Sequence, residues 1–143
     1  MSLEKQVSEI IKSTVKRDKF TLDWLEGNVF RINVHESAFL ELDDIREIQM
    51  HKAQMTKGAL YCVLFVCPHF GNLSKESREY LALRETNINA VAKAVITPNL
   101  GTRMMAEFFI LVNKPHVLHK AFSDINAAHE WMAEQMELAL RKH

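Results

Sequence analysis

Apolar and polar residues follow one another along the chain in a pattern that predicts a β-hairpin, then alternating strands and helices. The stretches FTLDWL and VFRINV place apolar residues at every second position, and Glu26-Gly27-Asn28 lies between them as a turn. This is the pattern of a hairpin with one buried face. The runs ALYCVLFVC (59–67) and NAVAKAVIT (89–97) are almost continuously apolar, as in strands covered on both faces. A shorter strand is predicted at VLHKAF (117–122).

Helical spacing of apolar residues separates these predicted strands. Leu42, Ile45 and Ile48 recur at three-residue intervals after several acidic residues, and Gly58 follows as a C-terminal cap. Further helices are predicted at three places: KESREYLALRET (75–86) with Ser74 as its N-cap, LGTRMMAEFFILVN (100–113) before Lys114-Pro115, and the segment that follows Ser123 or Asp124.

A short N-terminal helix is predicted from apolar residues at helical spacing, namely Leu3, Val7, Ile10 and Ile11. Residues 1–17 are therefore expected to form a helical extension, and residues 18–143 an α/β domain. The length of 143 residues suits one domain. The expected fold class is α/β, with one mixed sheet of about five strands that begins with a hairpin and continues through parallel crossovers, and with helices packed on it.

The composition limits the classes of protein to which the chain can belong. Eighteen basic residues balance eighteen acidic ones, which argues against nucleic acid as the partner and is compatible with self-association. No apolar run reaches the roughly 18 residues of a membrane span, and the charges in MSLEKQ argue against a signal peptide. We therefore expect a cytoplasmic protein in which Cys62 and Cys67, on opposite sides of one strand, remain reduced thiols.

Several phrases in the second half of the chain resemble the SpoIIAA-like family, which belongs to the STAS group of folds and is related in shape to the CRAL-TRIO lipid-binding domains. The phrases are LSKESREYLA, AVAKAVIT with the following NLGTRMMAEFFILVNKP, and HKAFSDINAAHEWM. The most specific marker runs from Phe108 to Pro115. The resemblance implies a STAS-type fold and a binding or regulatory role, since none of these phrases is catalytic.

The resemblance also makes Ser74 a candidate phosphosite. In the anti-sigma-factor antagonists of the STAS group, a serine at the start of the helix after the central strand is phosphorylated. The matching position here is Asn72-Leu73-Ser74, where Asn-Leu-Ser-Lys stands in place of an Asp-Ser-Ser-Gly-type phrase. The local pattern favours a plain helix cap at Ser74, so both interpretations remain open.

Two loops are expected to meet at one edge of the sheet, because each follows a buried strand and leads into a helix. Helix N-termini suit anions, and the guanidinium of Arg103 could bind a phosphate or carboxylate. The predicted ligand crevice consists of His69, Asn72, Ser74, Asn99, Thr102 and Arg103. The alternative is a pair of turns that use Gly and Asn for their backbone freedom.

The helix predicted at residues 100–113 is too apolar for a helix with one buried face. Phe108 and Phe109 point about 100° apart, so both cannot face the same sheet. The predicted self-association surface consists of Met104, Met105, Phe108, Phe109 and Val112. This surface could be covered by a second copy of the chain, by the N-terminal helix or by a lipid-like ligand, and the sequence leaves all three interpretations open.

Catalysis is not expected, because no Ser-His-Asp, Cys-His or zinc-binding spacing is present. The histidines are expected to be exposed, and no cofactor or metal is predicted. The expected function is a non-catalytic regulatory or protein-binding module that forms a homo-oligomer, most simply a dimer. The alternative is a carrier or sensor of a small apolar or anionic ligand, bound between the Met/Phe-rich helix and the sheet.

Overall fold

The fold is a mixed α/β sheet with helices on both faces. The computed structural model describes residues 10–66, 73–83, 88–113 and 116–142, apart from the side chains of Phe109 and Asn113. Its elements, in chain order, are β1 (Ile11–Lys16), β2 (Phe20–Leu25), β3 (Val29–Val34), α1 (Leu42–Thr56), β4 (Tyr61–Val66), α2 (Lys75–Ala82), β5 (Ala90–Ile96), α3 (Leu100–Asn113), β6 (Leu118–Phe122) and α4 (Ile125–Arg141). The α/β class is confirmed, with six strands where about five were predicted.

The six strands lie side by side in the order in which they occur in the chain. Strand β2 pairs antiparallel with both β1 and β3, so the predicted hairpin is confirmed. From β3 onward, every pair is parallel, and one helix connects each strand to the next. The parallel half therefore brings the ends of β4 and β5 to the same edge of the sheet.

The sixth strand comes from the segment predicted to be an N-terminal helix. Residues 11–16 form β1, in which Val15 lies opposite Leu22 of β2, so the prediction of a helical extension over residues 1–17 is wrong for this part. Residues 1–9 lie outside the described residues. The segment contains the β-branched residues Ile11, Thr14 and Val15. These suit a pleated surface, and pairing with β2 outweighs the helical spacing of the apolar residues.

The two faces of the sheet are covered by different helices. Apolar side chains of β2 to β4 pack against α1 and the start of α2 on one face, where Phe30, Ile32 and Val63 join Ile45 and Ile48. The same face continues under α3 through a small cluster formed by Val95, Ala106 and Ala121. On the opposite face, α4 covers β4 and β5. Its residues Ala128 and Met132 pack against the strand residues Cys62, Leu64, Ala92 and Ala94.

The predicted signals mark the ends of α1 and α4, whereas α2 ends at Ala82 with Leu83 extended, so the prediction of a helix over residues 75–86 is wrong at Leu83. Helix α1 ends at Lys57 and Gly58, both of which adopt left-handed backbone angles of φ 51° and 89°, as is common after a helix. Helix α4 is capped by Asp124, whose carboxylate accepts a hydrogen bond from the Asn126 amide at 3.0 Å. Of the two predicted caps, Asp124 is therefore confirmed and Ser123 is not used.

Candidate functional site

Helix α3 has one apolar side on the sheet and a second apolar side in solvent. Ala106 is fully buried and Ile110 is half-buried against the sheet. The opposite side, called here the outer face of α3, consists of Leu100, Met104, Met105, Phe108, Leu111 and Val112, which are 54–72% exposed. At 100° per residue these positions fall within one arc of about 140°, so they form a single surface.

The outer face includes four of the five residues predicted for self-association. Met104, Met105, Phe108 and Val112 are all on it, whereas the side chain of Phe109 lies outside the described residues. Arg103 and Glu107 border this face and form an ion pair of 3.6 Å between Nε and Oε2, with both side chains about half exposed. The described residues leave the outer face uncovered, and what covers it stays a prediction.

Ser74 caps helix α2, as its local pattern predicted. Its hydroxyl oxygen accepts a hydrogen bond from the Ser77 amide at 3.0 Å and donates one to the Ser77 hydroxyl at 2.8 Å. Ser77 in turn donates to the Leu40 carbonyl at 3.1 Å, so the cap ties α2 to the segment before α1. The Ser74 hydroxyl is thus used within the fold, and its phosphorylation stays a prediction.

The second edge loop is also organised around a helix start. The Asn99 side-chain oxygen accepts a hydrogen bond from the Thr102 amide at 2.9 Å, which places Asn99 as the cap of α3. Ser74 and Asn99 follow β4 and β5 at the same sheet edge, as predicted. His69 and Asn72 lie outside the described residues. Ligand binding at this edge therefore stays a prediction, with Arg103 engaged by Glu107.

A cavity of about 50 Å³ lies between the sheet and helices α1, α2 and α3, and is called here the inner cavity. Its walls are almost entirely apolar and include Ile48 from α1, Phe65 from β4 and Ile110 from α3. Three basic side chains also line it: Lys52 from α1, Lys93 from β5 and His119 from β6. Sequence reasoning missed all three.

The two lysines are buried with few polar contacts. Lys52 is 2% exposed, and its ammonium lies 5.1 Å from the centre of the Tyr61 ring. Lys93 is 5% exposed and donates to the Leu81 carbonyl at the long distance of 3.4 Å. None of the ion pairs among the described residues includes either lysine. A charged amine in such a place is costly unless an anion accompanies it.

Burial changes the acid–base behaviour of all three groups. It lowers the pKa of Lys93 to about 7. Burial, and then repulsion by Lys93, lowers the pKa of Lys52 well below its ordinary range. The pKa of His119 falls to about 4 through burial and then the charge of Lys93, although a hydrogen bond to the Val117 carbonyl opposes this. His119 Nδ1 lies 2.6 Å from that carbonyl and donates to it, and a pKa of about 4 leaves His119 neutral near pH 7.

Both lysines stand at positions that the patterns could have identified. Lys52 follows Ile45 and Ile48 at helical spacing and therefore lies on the buried side of α1. Lys93 alternates with Val91 and Val95 within a strand predicted to be covered on both faces. The histidines were predicted to be exposed, which is wrong for His129, since it is only 5% exposed on α4.

The described residues lack two features that would indicate other functions. Among them, no three His, Cys, Asp or Glu side chains come close enough together to hold a metal ion. Within the same part of the chain, no helix has the length and apolar character needed to cross a membrane. The arrangement that remains is a pair of buried amines beside apolar walls, which can bind an anion.

Comparison with known proteins agrees with this architecture. No curated protein matches the chain. Among solved structures, it is similar to an uncharacterized protein of the DUF3478 family with a SpoIIAA-like fold from Shewanella loihica PV-4. The two share 13% sequence identity and a TM-score of 0.51, over 92% of this chain and 98% of that chain. This likeness confirms the SpoIIAA-like fold predicted from the sequence and carries no activity with it. A family model described as a domain of unknown function, DUF7793, matches residues 23–136, and the chain therefore belongs to the DUF7793 family.

Proposed function

We propose that this protein is a non-catalytic regulatory or protein-binding module of the STAS-like type that forms a homodimer through the outer face of α3. The observation that supports it is the exposure of six large apolar side chains, each 54–72% exposed, on one side of one helix. Monomeric proteins seldom expose a contiguous apolar patch above a few hundred Å². A contiguous apolar patch of this kind has the character of an association surface.

A second copy of the chain fits this surface because its charged border is self-complementary. Arg103 and Glu107 lie one turn apart and carry opposite charges. In a two-fold symmetric contact, each surface meets a copy of itself. Antiparallel packing of two α3 helices about an axis near Met105 would place Arg103 beside Glu107 of the partner subunit, and the reverse. The zero net charge of the chain also removes long-range repulsion between copies.

Light scattering after size-exclusion chromatography tests this proposal directly. The wild-type chain should elute as a dimer over a wide range of protein concentration. Met105→Glu should elute as a folded monomer, because the substitution places a charge at the centre of the contact. Met50→Glu on α1 is the matched control, since Met50 is a helical methionine with a similar exposed fraction of 48%. That control should remain a dimer.

Two results would contradict the proposal. One is a monomeric wild-type chain at every concentration. The other is a dimer that Met105→Glu and Phe108→Asp leave intact. A variant that lacks residues 1–9 tests whether that segment covers the outer face of α3. If it does, the intact chain should be monomeric and the shortened chain should self-associate. That result would show the proposal to be wrong.

A second candidate function, a carrier or sensor of a small ligand, is favoured by the inner cavity. The cavity lies beneath the side of α3 that faces the sheet, so it is separate from the outer face. Its two buried lysines are the specific observation in favour of this function. Both roles are compatible in one molecule, since α3 would contact the ligand on one side and the second copy on the other.

A further inference from the structure

The inner cavity combines apolar walls with two amines that the fold does not neutralise. Its lining near the amines comes from β3, β4 and β5 below and from α1, α2 and α3 above. Lys52 belongs to α1 and Lys93 to the centre of the parallel sheet, so their side chains approach the cavity from opposite layers. The charge of Lys93 also lowers the pKa of Lys52. Both lysines line the same cavity, so both can act on one bound group there.

No described carboxylate balances this pair. Among the described residues, the Lys52 ammonium lies over the Tyr61 ring and is repelled by Lys93. Lys93 has one long hydrogen bond, to the Leu81 carbonyl. His119 cannot supply an anion, because it is a neutral ring whose Nδ1 donates to the Val117 carbonyl. An ammonium group has three donors, so most of the hydrogen-bonding capacity of both lysines remains unused.

We propose that the inner cavity is a binding site for a small aliphatic monocarboxylate, whose carboxylate lies between Lys52 and Lys93 and whose apolar body packs under α3. This inference deepens the second candidate function and rests on it. The carboxylate would supply the missing counter-charge, and its two oxygens could accept from both ammonium groups. The apolar body would occupy the part of the cavity lined by Phe65, Val95 and Ile110.

The chemistry of the walls favours a carboxylate over a phosphate. Phosphate has more charge and more oxygens to satisfy, and besides the two lysines the cavity is lined almost wholly by apolar side chains. A carboxylate has one charge and two oxygens, which the two lysines alone can satisfy.

The size of the cavity indicates a short ligand. A volume of about 50 Å³ has room for roughly three to five water molecules by the usual measure, so a body of a few carbon atoms fits without rearrangement. Longer chains need α3 to shift outward. Such a shift would disturb the packing of Ala106 on Val95 and Ala121, so longer chains should bind more weakly.

A route from solvent reaches the same lysine. Lys52 also lines a surface pocket of about 370 Å³ on the side of Tyr80 and Asn89. The Lys52 side chain thus lies between this open pocket and the inner cavity. A carboxylate attracted to Lys52 from solvent could enter by displacement of that side chain, without unfolding of the sheet.

Calorimetric titration with sodium butyrate tests the site. The wild-type chain should bind butyrate, whereas 1-butanol, which has a similar body and no charge, should bind at least roughly tenfold more weakly because it forms no charged hydrogen bond. Inorganic phosphate at the same ionic strength should also bind more weakly. Acetate and octanoate measure the length of the body that the cavity accepts, and butyrate should bind more tightly than either.

The matched variants are Lys52→Met and Lys93→Met, which keep the length of the side chain and remove its charge. Each should weaken butyrate binding by roughly tenfold or more while the far-ultraviolet circular dichroism stays that of the wild type. Lys120→Met, on the exposed side of β6, is the control and should bind butyrate as the wild type does.

The outcomes separate this proposal from the functions on which it builds. Equal binding of butyrate and butanol would overturn the carboxylate site and leave an apolar carrier. Absence of binding by either would overturn both the carboxylate site and the carrier function. Unchanged butyrate binding in Lys52→Met and Lys93→Met would also overturn the assignment. Measurement in the Met105→Glu background excludes any effect of self-association, because Met105 lies on the outer face of α3.

Discussion

Asp23 and Arg31 lie directly opposite each other on β2 and β3, and their side chains form an ion pair that is mostly shielded from water. Arg31 Nη2 is 3.0 Å from Asp23 Oδ2, and the two side chains are 17% and 7% exposed. The other carboxylate oxygen accepts from the Thr14 hydroxyl at 2.7 Å. One carboxylate therefore joins three neighbouring strands, β1, β2 and β3.

Substitution of Asp23 by Asn should lower the free energy of unfolding by about 3 kcal/mol, the lower end of the cost of breaking a buried pair. The amide lacks the negative charge that faces the Arg31 guanidinium. Urea unfolding followed by circular dichroism measures the change. Asp43→Asn is the control, because the Asp43 side chain is 97% exposed and 3.8 Å from Arg46; this variant should lose at most about 1 kcal/mol, the contribution of a carboxylate in the first turn of a helix. Equal effects of both substitutions would contradict the structural role of Asp23.

Replacement of Lys93 by Met should stabilise the protein most at neutral pH. The pKa of Lys93 is about 7 in the folded chain and about 10.5 when exposed, so above pH 7 the unfolded chain binds more protons than the folded chain. Wild-type stability therefore rises with pH by up to about 1.4 kcal/mol per unit from this group. Lys52 acts in the same direction, and His119 is already neutral in this range. Lys93→Met loses this pH dependence.

The expected result is that the stability advantage of Lys93→Met over the wild type shrinks as the pH rises from about 7 to about 9. Urea unfolding at several pH values measures it. Lys120→Met should show no such trend, since Lys120 is exposed. An advantage that stays constant over this range would mean that Lys93 is not a buried amine with a lowered pKa.

Loss of the Ser74 hydroxyl should weaken the start of α2. Ser74→Ala removes the acceptor for the Ser77 amide and the partner of the Ser77 hydroxyl, and we expect a loss of about 1 kcal/mol in the free energy of unfolding. Ser123→Ala is the matched control. Ser123 also precedes a helix, but Asp124 provides that cap. Thermal unfolding of the two variants should therefore differ, and equal midpoints would show that Ser74 does not act as a cap.

The Cys62 thiol should resist alkylation until the protein unfolds. Burial raises the pKa of Cys62 to about 12, and the thiol lies 3.7 Å from the Met132 carbonyl beneath α4. The fraction of thiolate, which is the reactive form, is therefore reduced by about three orders of magnitude near pH 8. Peptide mapping by mass spectrometry after iodoacetamide treatment should find Cys62 unmodified in folded protein and modified in guanidinium. Rapid modification in the folded state would contradict the packing of α4 on β4.

The strands and helices whose signals are local could be predicted from the sequence. Helix α3 has the bounds that its apolar pattern and flanking Pro115 indicated, and the turn at Gly27 lies where the hairpin required it. Strand β1 could not be predicted in this way, because its conformation depends on pairing with β2 and not on its own spacing. Local pattern and tertiary pairing conflicted there, and the pairing decided the structure.

Of the two candidate sites, the outer face of α3 could be predicted from the sequence, and the inner cavity could not. The excess apolar surface around Phe108 follows from composition and helix geometry, and the structure places that residue in solvent. The buried amines of Lys52 and Lys93 are not apparent from the sequence, since a lysine late in a helix suits the helix dipole and a single lysine does not change the apolar character of the β5 run. Two residues 41 positions apart become one site only when β5 is inserted beside β4 under α1.

Because the strands lie in the sheet in chain order, the sheet can form during translation. Each emerging strand can join the edge of the sheet left by its predecessor, so assembly can proceed while translation continues. Among the described helices, α4 follows all six strands in the chain and covers the surface formed by Cys62, Leu64, Ala92 and Ala94. A chain truncated before α4 would leave that apolar surface exposed. Such a chain should aggregate or bind chaperones.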